Sequence, residues 1–322
     1  MVAVLIVLLI AGLFFDINAG YSKIPFSDVL AILMGRGPQA MRYTLLELRL
    51  PRVLTSMLVG IGLAASGCII QGVTRNDMAD PGILGLNAGS GLMIALFIVL
   101  VSGTFQGYAF LLPILAFIGS LLTTFIEFRL AMVNGKLRPK RLLLMGVAIA
   151  SAITAFTTML MLKMPDSDYA FVQNWLAGNI WGASWTNVLI LLTGLALLIG
   201  FCWYRSLRLN IMVLGEENAT SLGINVHRES ILMMTAAAAM SSLCCAVGGG
   251  LSFVGLICPH LARKLVGPNY RILLPVTVLT GAVLLVFSDI ISRTLLLPHE
   301  IPIGIVSAVI GAPYFLYLLM KE

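Results

Sequence analysis

A hydrolytic or covalent enzyme needs a nucleophile beside a base, or a cluster of metal ligands, inside one pocket. In this 322-residue chain the three histidines, His227, His260 and His299, fall near the ends of apolar runs, in three separate loops or breaks. There is no HExxH pair, no GxSxG elbow and no GxxxxGK(S/T) phosphate loop. The Gly-Lys of "NGKLRP" at 134–139 lacks the upstream glycine and the hydroxyl residue. The five cysteines, Cys68, Cys202, Cys244, Cys245 and Cys258, lie in or beside apolar runs without ligand spacing to histidine. Small buried hydrophobes account for them better than redox or metal work. The sequence therefore offers no catalytic residue, no metal site and no directly bound cofactor, and the chain is not expected to hydrolyse ATP itself.

Ion-coupled transport is the next chemistry to consider, because it places acids deep in membrane spans as relays or ion sites. The candidates are Asp16, Glu127 and Asp289. The first two lie near span ends, and Asp289 has Arg293 four residues on, the spacing of an intrahelical pair. The chain is poor in coupling-ion machinery, so energy is expected to enter another way. A carrier working without an ATPase remains the second class of function.

These residues sit in an unusually apolar chain. It is 59% hydrophobic and 11% charged, with a mean hydropathy of +1.01, against roughly 25% charged residues in soluble domains. A hydrocarbon core about 30 Å thick needs about 20 apolar residues per helix, and such runs recur throughout. Punctuation by proline, glycine and charge gives spans near 1–19, 52–72, 82–101, 108–131, 141–163, 185–204, 229–249, 251–266, 271–297 and 302–320. The expectation is an all-α polytopic membrane protein with about ten transmembrane helices, in one domain over 1–322. The opening run lacks a basic leader and a clear cleavage site, so it reads as the first span.

An even span count puts both termini on one side. Thirteen of the 20 basic residues fall in loops of that side, which the positive-inside rule makes cytoplasmic. The net charge of +6 is scattered among these loops, so topology explains it and no nucleic acid is expected. Two runs are poor as simple helices. "VTRNDMADPGILGLNAGSG" follows Gly72, and "GGGLSFVGLICPHLARKLVG" carries Pro259 and His260 in its middle. Irregular backbone at membrane depth must be buried in protein or line water, so both suggest a packed, polar-lined interior.

One segment looks soluble: "VLGEENATSLGINVHRE", residues 213–229. Glu216 and Glu217 stand where a helix N-terminus favours negative charge, and Gly223 where a left-handed cap would end that helix. Leu214, Ala219, Leu222 and Ile224 interleave with the charges, as on a small helix packed against a partner. A plain solvated loop is the alternative.

Four stretches, "LRLPRVLTSMLVGIGLAASGCIIQGVTRNDMADPGILGLNAGSG", "LGEENATSLGINV", "LSFVGLICPHLARKLVGPNYRILLP" and "PIGIVSAVIGAPYFLYLL", occur in that order from about residue 47 onward. Together they resemble the FecCD-type permease subunits of bacterial importers for iron-siderophores, haem and cobalamin. The resemblance implies a type II ABC importer permease in the cell membrane. Its expected partners are a second permease subunit, a cytoplasmic ATPase dimer carrying ATP and Mg, and an extracellular or periplasmic substrate-binding protein. A heterodimer of permeases is favoured, with a homodimer as the alternative.

Carried over position by position, the resemblance makes residues 212–227 cytoplasmic coupling helices, with Leu214, Gly215, Glu216, Glu217, Ala219, Leu222 and Gly223 meeting the ATPase. It places Arg49, Arg52 and Arg293 on the outer face, where they would pair with glutamates of the binding protein. Isolated solvated arginines are the alternative. It puts Asn76 and Met78, with Pro139 and Lys140, at the cytoplasmic gate, although Asn-Asp-Met stands where relatives often have Asn-Pro-Leu. "PHLARKLVG" either ends a helix with cations near its C-terminal dipole or contacts the ATPase. "NWLAGNIWGASW", at 174–185, resembles the siderophore permeases, which implies iron-siderophore cargo, with haem or cobalamin as the alternative.

Overall fold

The computed structural model describes residues 2–19, 38–101, 110–133, 136–180, 182–297 and 299–320, together with the isolated positions 29, 32 and 34. Lys23, Arg36 and Lys321, three of the 20 basic residues, and Trp181 of "NWLAGNIWGASW" lie outside the described residues. The described chain is helical except for one two-stranded antiparallel ladder, β1 Met132–Val133 with β2 Lys136–Leu137.

Thirteen helices follow in order: α1 Val2–Asn18, α2 Gln39–Thr74, α3 Leu86–Val101, α4 Leu112–Ala131, α5 Pro139–Met161, α6 Asp166–Leu176, α7 Trp185–Tyr204, α8 Ser206–Val213, α9 Glu216–Ser221, α10 Val226–Gly248, α11 Val254–Val266, α12 Tyr270–Thr294 and α13 Ile303–Leu319. Among the described residues six are long and apolar enough to cross a membrane: α2, α4, α5, α7, α10 and α12. The shorter apolar α1, α3 and α13, together with α11, bring the bundle to ten. The sequence reading did not separate out α6, α8 or the ladder.

α2 is the axis of the bundle. It carries the small-residue sequence "GIGLAASG" and is buried along most of its length, with α10, α11 and α12 packed against it. Lipid gives helices no hydrophobic reason to associate, so close backbone approach must supply the contact. A Cβ on Gly60 would collide with the Gly281 carbonyl of α12, and one on Gly67 with the Gly255 carbonyl of α11. By contrast, α5 and α7 lie at the periphery, exposing Leu144, Val147, Phe156 and Met159, and Leu189, Ile190, Leu192 and Leu197.

Both expected breaks exist, and one lies elsewhere than the sequence suggested. After Thr74 the chain turns through Arg75 in the left-handed region, makes a short 3-10 turn at Pro81–Leu84, and enters α3 through left-handed Gly85. The second break is at Gly249–Phe253, not at Pro259, which sits inside α11. The two breaks pack together. Asn87 Nδ2 donates to Leu251 O at 3.3 Å, and a Cβ on Gly255 would strike Pro81 and Asp80.

A proline inside a helix leaves the carbonyl four residues earlier without its donor. For Pro259 that acceptor is Gly255 O, which takes a hydrogen bond from Gln71 Nε2 at 3.4 Å, while Leu256 O takes another at 3.2 Å. For Pro275 in α12 it is Arg271 O, served by the indole N–H of Trp203 at 3.1 Å. Side chains from neighbouring helices thus satisfy backbone that the bilayer cannot.

Candidate functional site

Functional residues gather at the two ends of the bundle and at the loops between its breaks. At one end, α8 and α9 form a compact handle. Gly215, at φ +117°, leads into α9, with Glu216 and Glu217 in its first turn. Gly223, at φ +81°, closes α9: its N–H donates to Thr220 O at 2.9 Å, and Ile224 N–H to Ala219 O at 3.0 Å. Only glycine holds that conformation at little cost. Ala219 faces inward and is fully buried, whereas Leu214 and Leu222 are exposed beside Glu216 and Glu217. The expected alternation of apolar and acidic groups therefore divides into an anchored inner side and a bare outer side.

The handle is tied to the spans by polar contacts. Arg205 and Arg208, flanking the start of α8, both pair with Glu229 of α10, which is almost completely buried. Asn210 donates to Asn269 Oδ1 at 3.0 Å and accepts from the Tyr270 N–H at 2.8 Å. These contacts join α8 to α10 and to the start of α12.

Beside the handle opens a cleft of about 690 Å³. Arg75 from the end of α2, Arg138 and Arg141 from the start of α5, His227 of α10 and Glu216 of α9 line it. The first break carries the gate candidates. Asn76 Oδ1 accepts from the Met78 N–H at 3.0 Å, and Asp77 pairs with Arg263 of α11 at 2.5 Å. Pro139 and Lys140 form the first residues of α5, and their side chains lie outside the described set. The handle and the segments carrying the gate candidates thus share one cleft. Arg263, one of the two cations Arg263 and Lys264 in "PHLARKLVG", faces the loop that carries Asn76 and Met78.

At the opposite end the three docking candidates meet, as topology required, but within their own protein. Arg49 is 7% exposed and donates to Ile17 O at 2.6 Å. Arg293 is 5% exposed, pairs with Asp16, and lies 3.1 Å from Asp289 Oδ2. Arg52 donates through Nε and Nη2 to Asp289 Oδ1, at 3.3 and 3.1 Å, and through Nη1 to Glu300 Oε2 at 2.8 Å. Asp16 and Asp289 are fully buried. The i,i+4 spacing of Asp289 and Arg293 had signalled one of these pairs; nothing local signalled Asp16 or Glu300 as partners. Arg52 alone retains an outward corner.

Other expectations fare variously. All five cysteines are buried free thiols. His227 and His260 belong to helices rather than loops, at the start of α10 and inside α11. Trp175 of "NWLAGNIWGASW" is 9% exposed, and its carbonyl receives the Gly250 N–H at 3.3 Å in the second break. Trp185 donates its indole N–H to Leu46 O at 3.0 Å. Glu127 is fully buried against Gly85, with neither oxygen hydrogen-bonded among the described residues.

A bundle of ten helices, with two irregular breaks packed against each other and an amphipathic handle at one end, defines a class: the polytopic helical membrane protein. Residues 7–321 match the FecCD transport family, and the chain belongs to it. It is 39% identical to the iron(3+)-hydroxamate import system permease protein FhuG of Bacillus subtilis (strain 168), over 99% of this chain and 96% of that one. It is 36% identical to the iron-uptake system permease protein FeuC of the same organism, over 99% and 97%. Its fold is similar to that of a solved structure described as an inward-facing metal-chelate type ABC transporter, with a TM-score of 0.84, 28% identity and coverage of 99% and 98%. The architecture is that of a type II ABC importer permease, with the ATPase on a separate subunit.

Proposed function

We propose that this permease carries an iron-siderophore complex across a bacterial cytoplasmic membrane, with both termini and the α8–α9 handle on the cytoplasmic side. Full-length similarity to an iron-hydroxamate permease carries the cargo reading. A second permease subunit, in a heterodimer, covers the exposed side of α5. There Ala148, Ser151, Ala155 and Thr158 stand exposed, a small, hydroxyl-bearing surface suited to a bulky cargo that must leave. An ATPase dimer binding ATP and Mg receives the outer side of α9, through Glu216, Glu217, Leu214 and Leu222. Closure of the ATPases moves the handle, and the shared cleft passes that motion to Asn76, Met78, Pro139 and Lys140 at the gate. A binding protein docks at the opposite end, on the outward corner of Arg52, with Arg49 and Arg293 holding that surface in shape.

Reconstitution in proteoliposomes with its ATPase, second permease and binding protein tests the reading. Uptake of radio-iron-labelled ferric hydroxamate should require ATP, and excess cobalamin should not compete. Glu216→Lys with Glu217→Lys should abolish the stimulation of ATP hydrolysis by loaded binding protein while assembly persists. Uptake that proceeds without ATP would identify a carrier instead, and displacement by cobalamin would reassign the cargo.

A further inference from the structure

Arg52 is held in a way that divides its guanidinium into two unequal parts. Nε and Nη2 are fixed on one oxygen of Asp289, a carboxylate with no exposed surface. The other oxygen of Asp289 lies 3.1 Å from Arg293 Nη2 in an ion pair. A guanidinium clamped along one edge presents the other in a set direction, and its planar fork matches a second carboxylate. That second edge, at Nη1, holds Glu300. Glu300 differs from the other acids of the cluster: its side chain is 48% exposed, against 0% for Asp289. It lies beyond the end of α12, in the connection that precedes α13.

We propose that Glu300 is an exchangeable occupant of the docking position on Arg52, vacating it when a carboxylate of the binding protein arrives, while Asp289 is the residue that positions Arg52 for both. The inference rests on the docking role proposed for Arg52. The arriving carboxylate replaces Glu300 on the same N–H group, so docking exchanges one ion pair for another. Arg49, Arg52 and Arg293 are matched in number by Asp16, Asp289 and Glu300, so this cluster carries no unbalanced positive charge until Glu300 leaves. Stray anions then gain little by binding, whereas a partner whose own shape seats a carboxylate at Nη1 can compete. Exposed ion pairs of this kind change equilibria by no more than about fivefold, which leaves Glu300 displaceable. The buried clamp on Asp289 carries a far larger cost of separation.

The test uses the full-length permease in nanodiscs and two readouts. The first is labelling by phenylglyoxal, a guanidine-directed reagent, mapped by peptide mass. In Glu300→Gln, labelling of Arg52 should rise roughly two- to fivefold over wild type, with buried Arg293 unlabelled in both. Unchanged labelling of Arg52 overturns the proposal. The second is low-salt docking of the iron-chelate-binding protein that supports uptake by the reconstituted transporter. Glu300→Gln should dock more tightly by a similar factor and Arg52→Gln more weakly. If Arg52→Gln weakens docking but Glu300→Gln does not tighten it, the exchange is wrong and the docking role stands. If Arg52→Gln docks like wild type, the docking role itself fails.

Discussion

Asp289 holds two arginines at once, Arg52 on one oxygen and Arg293 on the other, with none of its own surface in solvent. Removing one partner of a buried ion pair costs on the order of 3–5 kcal/mol, because the remaining charges stay buried without compensation. A pair with one half-exposed member contributes about 0–1 kcal/mol. Asp289→Asn should therefore lower the thermal unfolding midpoint far more than Glu300→Gln. The five buried free thiols provide the measurement, since a thiol-reactive fluorophore reports their exposure as detergent-solubilised protein is heated. Equal losses in the two variants would show that Asp289 is not the clamp.

Among the elements, α11 depends most visibly on its neighbours. Its proline withdraws a donor from Gly255 O, and Gln71 of α2 replaces it from across the interface, where Gly67 lets the backbones close. Gln71→Leu would leave the Gly255 carbonyl without a donor, at a cost of about 1–3 kcal/mol for a buried group. Pro259→Ala restores an N–H within reach of Gly255 O. The double variant should therefore be more stable than Gln71→Leu alone, with the two changes far from additive. Thermal unfolding of the four proteins of this cycle measures the coupling, and strict additivity would refute the substitution of one donor for the other.

For the whole molecule, the arrangement that matters is the handle and the proposed gate segments on one cleft. Glu216 of α9, Arg75 beside Asn76, and Arg138 and Arg141 around Pro139 and Lys140 line the same space. A displacement of α9 would therefore change the surroundings of both segments proposed as the gate without passing through the bundle core. Single cysteines at Asn76 and Met78, in a background lacking the native five, should react at different rates with a water-soluble thiol reagent in nucleotide-free and ATP-trapped transporter. Labelling indifferent to nucleotide at both positions would describe a static loop and remove them from the gate.

By itself the sequence determined the solvent, the number of spans, the handle and the place of the first break. Each is written in local signals: apolar run length, the Glu216–Glu217 start, the Gly223 stop and the Asp-Pro-Gly turn. It also placed Arg49, Arg52 and Arg293 at one end, because span parity depends only on order along the chain. Tertiary structure alone decided what those arginines touch, since Asp16 and Glu300 lie on segments far from Arg293 and Arg52 in sequence and no periodicity links them. The same holds for the second break. Pro259 is the local signal for irregular backbone, yet Gln71, from a distant helix, supplies the missing donor and allows α11 to run straight through it, leaving the break to Gly249–Phe253. In lipid an unpaired carbonyl cannot turn to water, so the partner that satisfies it, wherever it lies in the chain, decides where a helix continues and where it stops.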